Sequence, residues 1–148
     1  MGKYSCAGLA VASGTGLVMV GLASNGTVEY ELDRIEGTLT DTPSSDRYVF
    51  NLYAATGVTT GTSGTATIHG RHATPSSTFS KGTYSTPPTL VGTPACTFGT
   101  YSPASYRIMF GPGDGLKLNS LASNAGHVVV CTTAPGTSAG NHVFGWKE

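Results

Sequence analysis

Charged side chains are scarce in this sequence. Asp, Glu, Lys and Arg make up 11% of its 148 residues, well below the roughly 25% that is usual in soluble domains. Eight basic and eight acidic residues give a formal net charge of zero, and the basic residues are spread from Lys3 to Lys147. A phosphate backbone is bound through clustered Lys and Arg, so we expect no nucleic-acid partner.

Long apolar runs are also missing. No segment reaches the roughly 18 apolar residues of a membrane span, and Ser13–Gly16 interrupts the apolar start of the chain before it could form a signal-peptide core. We therefore expect no membrane partner. Cys6, Cys96 and Cys131 lack the CxxC spacing of zinc and redox sites, and three cysteines cannot all pair within one chain. Buried, reduced thiols are the favoured interpretation.

Motifs for catalysis are absent as well. The segment Gly61–Thr65 has a Gly-x-Ser-x pattern but ends in Thr where a nucleophile elbow needs Gly. Gly14 and Gly16 begin a dinucleotide fingerprint whose third glycine is out of register. Walker, EF-hand and HExxH patterns do not occur. The sequence therefore predicts no enzyme, no catalytic residue and no cofactor.

Two of the four histidines are close enough in sequence to suggest a metal site. His69 and His72 are three residues apart, a spacing that points two side chains to opposite faces of a strand. Only a loop would let them chelate a metal, so solvent-facing or interface roles are favoured over metal binding. His127 and His142 stand near the starts of two late predicted strands and are interpreted as polar residues at strand ends.

Helical periodicity is missing, and period-two alternation replaces it. No apolar stripe with helical spacing runs for ten residues without Gly, Pro or β-branched runs. The residues Val28–Asp33 alternate cleanly between apolar and acidic side chains, which is typical of a strand with one buried face. The phase slips at Arg34, where a β-bulge would return Ile35 and Leu39 to the interior. Asn25-Gly26 predicts a tight turn.

These signals recur along the chain and predict one all-β domain spanning residues 1–148. The expected architecture is an antiparallel β-sandwich or jelly roll of about eight to ten short strands. The run Val128–Cys131 is apolar throughout, as in a strand buried on both faces. The strands are expected at about 4–12, 17–23, 27–39, 47–55, 95–101, 106–110, 116–118, 127–132 and 142–146, with shorter ones possible at 65–69 and 78–84.

Two segments are expected to lie outside the core. Residues 1–6 are interpreted as an N-terminal arm, and residues 56–94 as a long loop and edge excursion rich in Gly, Thr, Ser and Pro, since each proline removes a hydrogen-bond donor from a strand ladder. Loops of this length in a compact domain are usually functional. The candidate partner-contact residues are therefore Lys3, Tyr4, Arg71, His72, Phe79, Tyr84, Pro87 and Pro88.

One acidic stripe leaves its role open. Glu29, Glu31 and Asp33 share a strand face, roughly 7 Å apart. A solvated face is the simplest interpretation. A contact with an arginine of a neighbouring subunit and a calcium site completed by loop oxygens are the alternatives.

The order of elements in the last forty residues carries a family resemblance. An aromatic strand, Tyr106–Phe110, is followed by the glycine-led Gly111–Leu118, a turn at Asn124–Gly126, an apolar strand and the ending Trp146–Glu148. This order resembles the small head decoration, or cement, proteins of tailed bacteriophages. The front half is similar to that group too, through its Gly-Leu-Val-Met-Val strand, its Glu29–Glu36 strand and its proline-containing segment ending Thr86–Leu90.

The resemblance implies a structural virion protein. Such a protein is a jelly-roll-like domain that trimerises, binds the outer surface of a phage capsid and clamps neighbouring major capsid subunits. The expected partners are then the major capsid protein and two further copies of this chain. The expected location is the capsid exterior, after synthesis in the host cytoplasm. Another virion component, such as a tail or fibre-base subunit, and a carbohydrate-binding β-sandwich module are the alternatives.

Overall fold

The computed structural model describes residues 2–40, 43, 45–58, 62–63, 67–69, 73–82, 84–110, 116–117, 122–136 and 138–148. These residues form strands and connections without any helix, so no helix there is long and apolar enough to cross a membrane. The strands are β1 (Lys3–Ser13), β2 (Val18–Ala23), β3 (Glu31–Leu39), β4 (Tyr48–Thr56), β5 (Thr62–Ser63), β6 (Thr67–His69), β7 (Thr78–Lys81), β8 (Thr89–Thr100), β9 (Ala104–Met109), β10 (Leu116–Lys117), β11 (Gly126–Thr133) and β12 (Ser138–Lys147).

The strands form two antiparallel sheets that pack face to face, which confirms the predicted β-sandwich. Sheet A has the order β10-β3-β12-β1-β6, with β9 also paired to β3, and sheet B has the order β5-β7-β2-β11-β4-β8. Four antiparallel pairs nest along the chain: β1 with β12, β2 with β11, β3 with β9, and β4 with β8. Successive pairs alternate between the sheets, which is the strand order of a jelly roll.

The predicted β-bulge is present in β3. Arg34 stands opposite Gly145 and Leu32 stands opposite Trp146, so Asp33 is the extra residue. Leu32 before the bulge and Ile35 after it are both fully buried. The extra residue therefore keeps the apolar side chains of both halves of the strand in the core.

Aromatic side chains fill the space between the sheets. Trp146 of β12 is fully buried and stacks on Tyr4 of β1, with ring centroids 5.7 Å apart. Phe79 of β7 meets Phe144 of β12 edge to face at 6.0 Å. Each side chain of this size contributes about 1.5–3 kcal/mol when it leaves water. The Tyr4–Trp146 pair joins neighbouring strands of sheet A, whereas the Phe79–Phe144 contact holds the two sheets together.

A second apolar cluster lies on the outer face of sheet B. Ala23, Ala55, Val128 and Val130 form it, and Val58, from the segment after β4, is buried against them. A Cβ on Gly21 would lie 2.6 Å from Val58 Cγ1, so the glycine leaves room for this covering side chain. The apolar run of β11 is buried on both faces, as the sequence predicted.

Three features differ from the sequence-based expectations. Residues 3–6 are not an arm: they form the start of β1, between β12 and β6, because the strand places Tyr4 and Cys6 in the core. The described part of residues 56–94 contains more strand than expected: β6 and β7 fall within the two ranges where short strands were possible, but β5 and the start of β8 lie where a loop was predicted. Twelve strands lie in the residues that the structure describes, against the eight to ten expected, because short pairings add to the eight principal strands.

Candidate interaction surface

Strand β8 forms one outer edge of sheet B and is exposed along its first half. β8 is the last strand of the sheet and pairs only with β4. Its first five residues are exposed, including Leu90 at 41% and Val91 at 44%. An edge strand presents unpaired N–H and C=O groups to which another strand can bind. The combination of a free edge and exposed apolar side chains makes β8 a candidate site for strand addition.

A large irregularity, or bulge, in the pairing with β4 divides β8 into two halves. Val91 pairs with Ala54 and Cys96 with Leu52, so residues 92–95 stand opposite Tyr53 alone. Gly92 has φ +69, which glycine adopts without steric penalty. Pro94 lies within the bulge, where its missing N–H removes no bond of the ladder. The bulge interrupts the long edge that β8 would otherwise form. The exposed half of β8 is the short segment before the bulge.

A shallow groove lies where the β1–β2 turn meets the loop after β7. Its volume is about 180 Å³, and its lining includes Leu17, Met19, Tyr84 and Pro87. The Tyr84 hydroxyl lies 2.8 Å from Ser80 Oγ, and burial raises the pKa of Tyr84 to about 12. Two of the predicted contact residues, Tyr84 and Pro87, thus lie together at this groove.

The other predicted contact residues are dispersed. Lys3 is exposed on the outer face of sheet A. Tyr4, Phe79 and Pro88 are buried, and the two aromatic rings belong to the core, so the interpretation of these three as partner contacts is wrong for the folded chain. The apolar rings gain more from packing inside the sandwich than from exposure on an arm or loop. Arg71 and His72 lie outside the described residues.

His127 and His142 are buried core residues; His127 is the second residue of β11, near the strand start as predicted, whereas His142 lies inside β12. His127 Nδ1 lies 2.8 Å from the Tyr30 hydroxyl, which also lies 2.9 Å from the Leu22 carbonyl oxygen. Which of Tyr30 Oη and His127 Nδ1 donates in their contact depends on the imidazole tautomer. Burial lowers the pKa of His127 to about 4. The imidazole is therefore held neutral.

His142 is fully buried in the middle of β12. Its Nδ1 lies 2.6 Å from the Tyr106 hydroxyl, and its Nε2 has no hydrogen-bond partner among the described groups. Gly37 stands between the two residues in the sheet, and a Cβ there would lie 2.7 Å from the Tyr106 ring. The glycine allows the phenol to lean across to the imidazole. Burial lowers the pKa of His142 to about 4. The pKa of Tyr106 is raised, mainly by burial and also by the nearby negative charge of Glu36.

The Glu148 carboxylate holds the loop before β7. One oxygen accepts hydrogen bonds from Ser77 N at 2.9 Å, from Ser77 Oγ at 2.5 Å and from Trp146 Nε1 at 3.2 Å, and the other accepts from Ser76 N at 2.8 Å. Hydrogen bonds to a charged acceptor are about twice as strong as neutral ones. Glu148 therefore joins a segment of the predicted excursion to the core tryptophan.

The cysteines and the acidic stripe form no shared site in the structure. Cys6, Cys96 and Cys131 form no disulfide. In the part of the chain that the structure describes, no three His, Cys, Asp or Glu residues are grouped so that they could hold a metal ion. Glu29 precedes β3, Glu31 lies near its start, and Asp33 is the extra residue of its bulge. The stripe is thus divided among a loop, a strand and a bulge.

Sequence reasoning missed the exposed start of β8. Leu90 and Val91 lie two and three residues after Pro88, in a segment that the sequence predicts to be a loop because prolines disfavour strands. The pattern Thr-Leu-Val could have indicated a short strand, but nothing local distinguishes a covered strand from one at an edge. Comparisons with known proteins found no matching family model, no similar curated protein and no similar solved structure.

Proposed function

We propose that this protein is a structural virion component that binds the outside of a tailed-phage capsid and stabilises the lattice of major capsid subunits as a trimer. The observation that carries the proposal is the exposed first half of β8, at the open edge of sheet B. The family resemblance of the last forty residues supports the choice of a capsid as the partner. The jelly-roll order of the strands is compatible with that group.

Stabilisation follows from simple linkage. A ligand that binds the assembled shell, and not its free subunits, adds its binding free energy to the closed state. An extended segment of a capsid subunit that pairs with β8 would gain main-chain hydrogen bonds, while Leu90 and Val91 would be covered. A copy bound at the boundary between two subunits would thereby resist their separation.

The test compares particles assembled with and without this protein by cryo-electron microscopy and by resistance to heat. We expect added density on the outer capsid surface and a higher temperature of genome release when the protein is present. Density confined to the tail would assign the protein to the tail or fibre base instead. Absence of the protein from particles would contradict the virion assignment.

A pair of variants tests the contact surface. Leu90→Lys with Val91→Lys places two charges on the exposed half of β8, and we expect it to reduce occupancy on particles at least tenfold, because lysine on an edge strand opposes strand addition. Met109→Lys is the matched control, since Met109 is 58% exposed but belongs to β9 of sheet A. Equal occupancy for both variants would exclude β8 as the attachment edge.

Self-association is tested separately by sedimentation equilibrium at micromolar concentration. A trimer has three times the 15.1 kDa mass of one chain. A monomer at all concentrations would refute the trimeric part of the proposal and leave the contact with the capsid to be judged by occupancy.

A further inference from the structure

The outer face of sheet A gathers basic residues that are far apart in the sequence. Lys3 of β1 pairs with Lys147 of β12, Lys147 pairs with Glu31 of β3, and Glu31 pairs with Lys117 of β10. Adjacent strands are about 4.8 Å apart, so these four residues form one continuous row across four strands. We refer to Lys3, Lys117 and Lys147 as the lysine row.

The side chains of this row point away from the core. Neighbouring residues of a strand face opposite sides of the sheet, and the residues next to the row in the chain are core or core-packed side chains: Tyr4, Leu32, Leu116 and Trp146. Lys3 and Lys117 are exposed, while Lys147 and Glu31, in the centre of the row, are half-buried. The row is therefore a surface feature of the folded chain.

The lysine row has more positive charge than its own face can balance. Glu31 is the one carboxylate in register with three ammonium groups, and no ion pair of the described residues involves the lysines. The next charged residues on the face are Arg34, Glu36 and Arg107, with Glu36 3.3 Å from Arg34 Nε and 3.4 Å from Arg107 Nε, and Asp33 lies beside Arg34. These two basic and two acidic residues sum to zero charge. The surplus therefore remains at the lysine row.

The surplus can be counted over the part of the face that the structure describes. Its strands carry five basic residues and three acidic ones: Lys3, Arg34, Arg107, Lys117 and Lys147, and Glu31, Asp33 and Glu36. These described residues have a net charge of plus two, whereas the formal net charge of the whole chain is zero. The even spread of basic residues along the sequence does not persist in the fold.

We propose that the lysine row is a binding surface for an acidic segment or patch of a partner protein. Three lysines over about 14 Å, with a carboxylate among them, match a few alternating side-chain carboxylates better than a phosphate backbone, whose binding proteins commonly neutralise six to ten phosphates. Lysine ammonium groups act as compact point charges that pair with single carboxylates. This surface is distinct from β8, and its test does not need virus particles.

The experiment measures binding of purified protein to a fluorescent 20-residue poly-glutamate peptide at 50 and 300 mM NaCl. We expect binding at low salt that weakens at high salt, because exposed charges are screened. Each of Lys3→Gln, Lys117→Gln and Lys147→Gln should weaken binding about two- to fivefold, in line with exposed ion pairs, and the triple variant should weaken it at least tenfold. Lys81→Gln on sheet B is the matched control and should bind like the unchanged protein.

A fourth variant tests the arrangement of the row. Glu31→Gln removes the carboxylate that competes for the lysines, so it should strengthen binding about two- to fivefold. A general loss of fold would not produce this increase. No binding at 50 mM NaCl, or equal binding by the triple variant and the Lys81→Gln control, would overturn the proposal. Tighter, lysine-dependent binding of a 20-base-pair DNA duplex than of the peptide would also overturn it, in favour of nucleic acid.

Discussion

Acid should weaken this fold through its two buried histidines. The pKa of His127 and of His142 is about 4 in the folded chain, against about 6.5 in an unfolded chain. The unfolded state therefore binds more protons between these values. The stability that the neutral imidazoles contribute is fully present above pH 6.5, falls as the pH drops through 6.5, and is lost by about pH 4.

The magnitude is large relative to the stability of a domain. One pKa unit corresponds to about 1.4 kcal/mol, so each histidine lowers the free energy of unfolding by about 2 kcal/mol at pH 5 and by about 3 kcal/mol below pH 4. The two together would remove about 4 kcal/mol at pH 5. Domains typically have about 5–15 kcal/mol in total, so we expect most of the margin to be lost before pH 4.

A matched double substitution isolates the contribution of one histidine. His142→Phe with Tyr106→Phe removes both partners of the 2.6 Å hydrogen bond and leaves no polar group unpaired. Urea unfolding is measured from pH 7.5 to 4.5 for this variant and for the unchanged protein. The double variant should lose about 2 kcal/mol less between pH 7.5 and 5, because only His127 still titrates, while carboxylate effects are common to both.

The single variant provides the control. His142→Phe alone leaves the buried Tyr106 hydroxyl without its hydrogen-bond partner and should be about 1–3 kcal/mol less stable than the double variant at pH 7.5. If the double variant and the unchanged protein lost stability in parallel from pH 7.5 to 4.5, the assignment of acid sensitivity to His142 would be refuted.

Two further substitutions test local features of the fold at neutral pH. Glu148→Gln removes the charge that accepts four hydrogen bonds and should lower the free energy of unfolding in urea by about 1–2 kcal/mol. The exposed Glu29→Gln is the control and should change it little. Equal losses of unfolding free energy for the two variants would contradict the role of the Glu148 carboxylate as a loop anchor. Gly126→Ala would place a Cβ against the Leu22 carbonyl oxygen and should cost more than about 3 kcal/mol or prevent folding. Gly57 has φ +70 and open space around it, so Gly57→Ala should cost only about 1 kcal/mol, and similar losses for both glycine variants would refute the steric argument.

Local pattern was sufficient for the individual strands. The alternation of residues 28–33 and the slip at Arg34 predicted both the buried face of β3 and its bulge, because side-chain direction in a strand depends only on position along it. The unbroken apolar run of β11 likewise predicted burial on both faces. The all-β sandwich could be inferred for the same reason.

Pairing between distant strands was decided by the tertiary structure alone. Asn25-Gly26 forms a turn, with Asn25 Oδ1 accepting from Thr27 N at 2.8 Å, yet it joins β2 to β3 in opposite sheets and not two strands of a hairpin. A turn sequence determines the local reversal of the chain but not which sheet the next strand joins. That choice depends on which apolar faces can be buried together.

The charge of the candidate surfaces likewise depended on the sequence in part and on the tertiary structure in part. Composition alone established that charge is scarce and balanced over the chain. The lysine row arises only because β1 pairs with β12 and places Lys3 beside Lys147, residues from nearly opposite ends of the sequence. Sheet registers are set by the burial of alternate apolar residues over the whole strand, and no local pattern around either lysine contains that information.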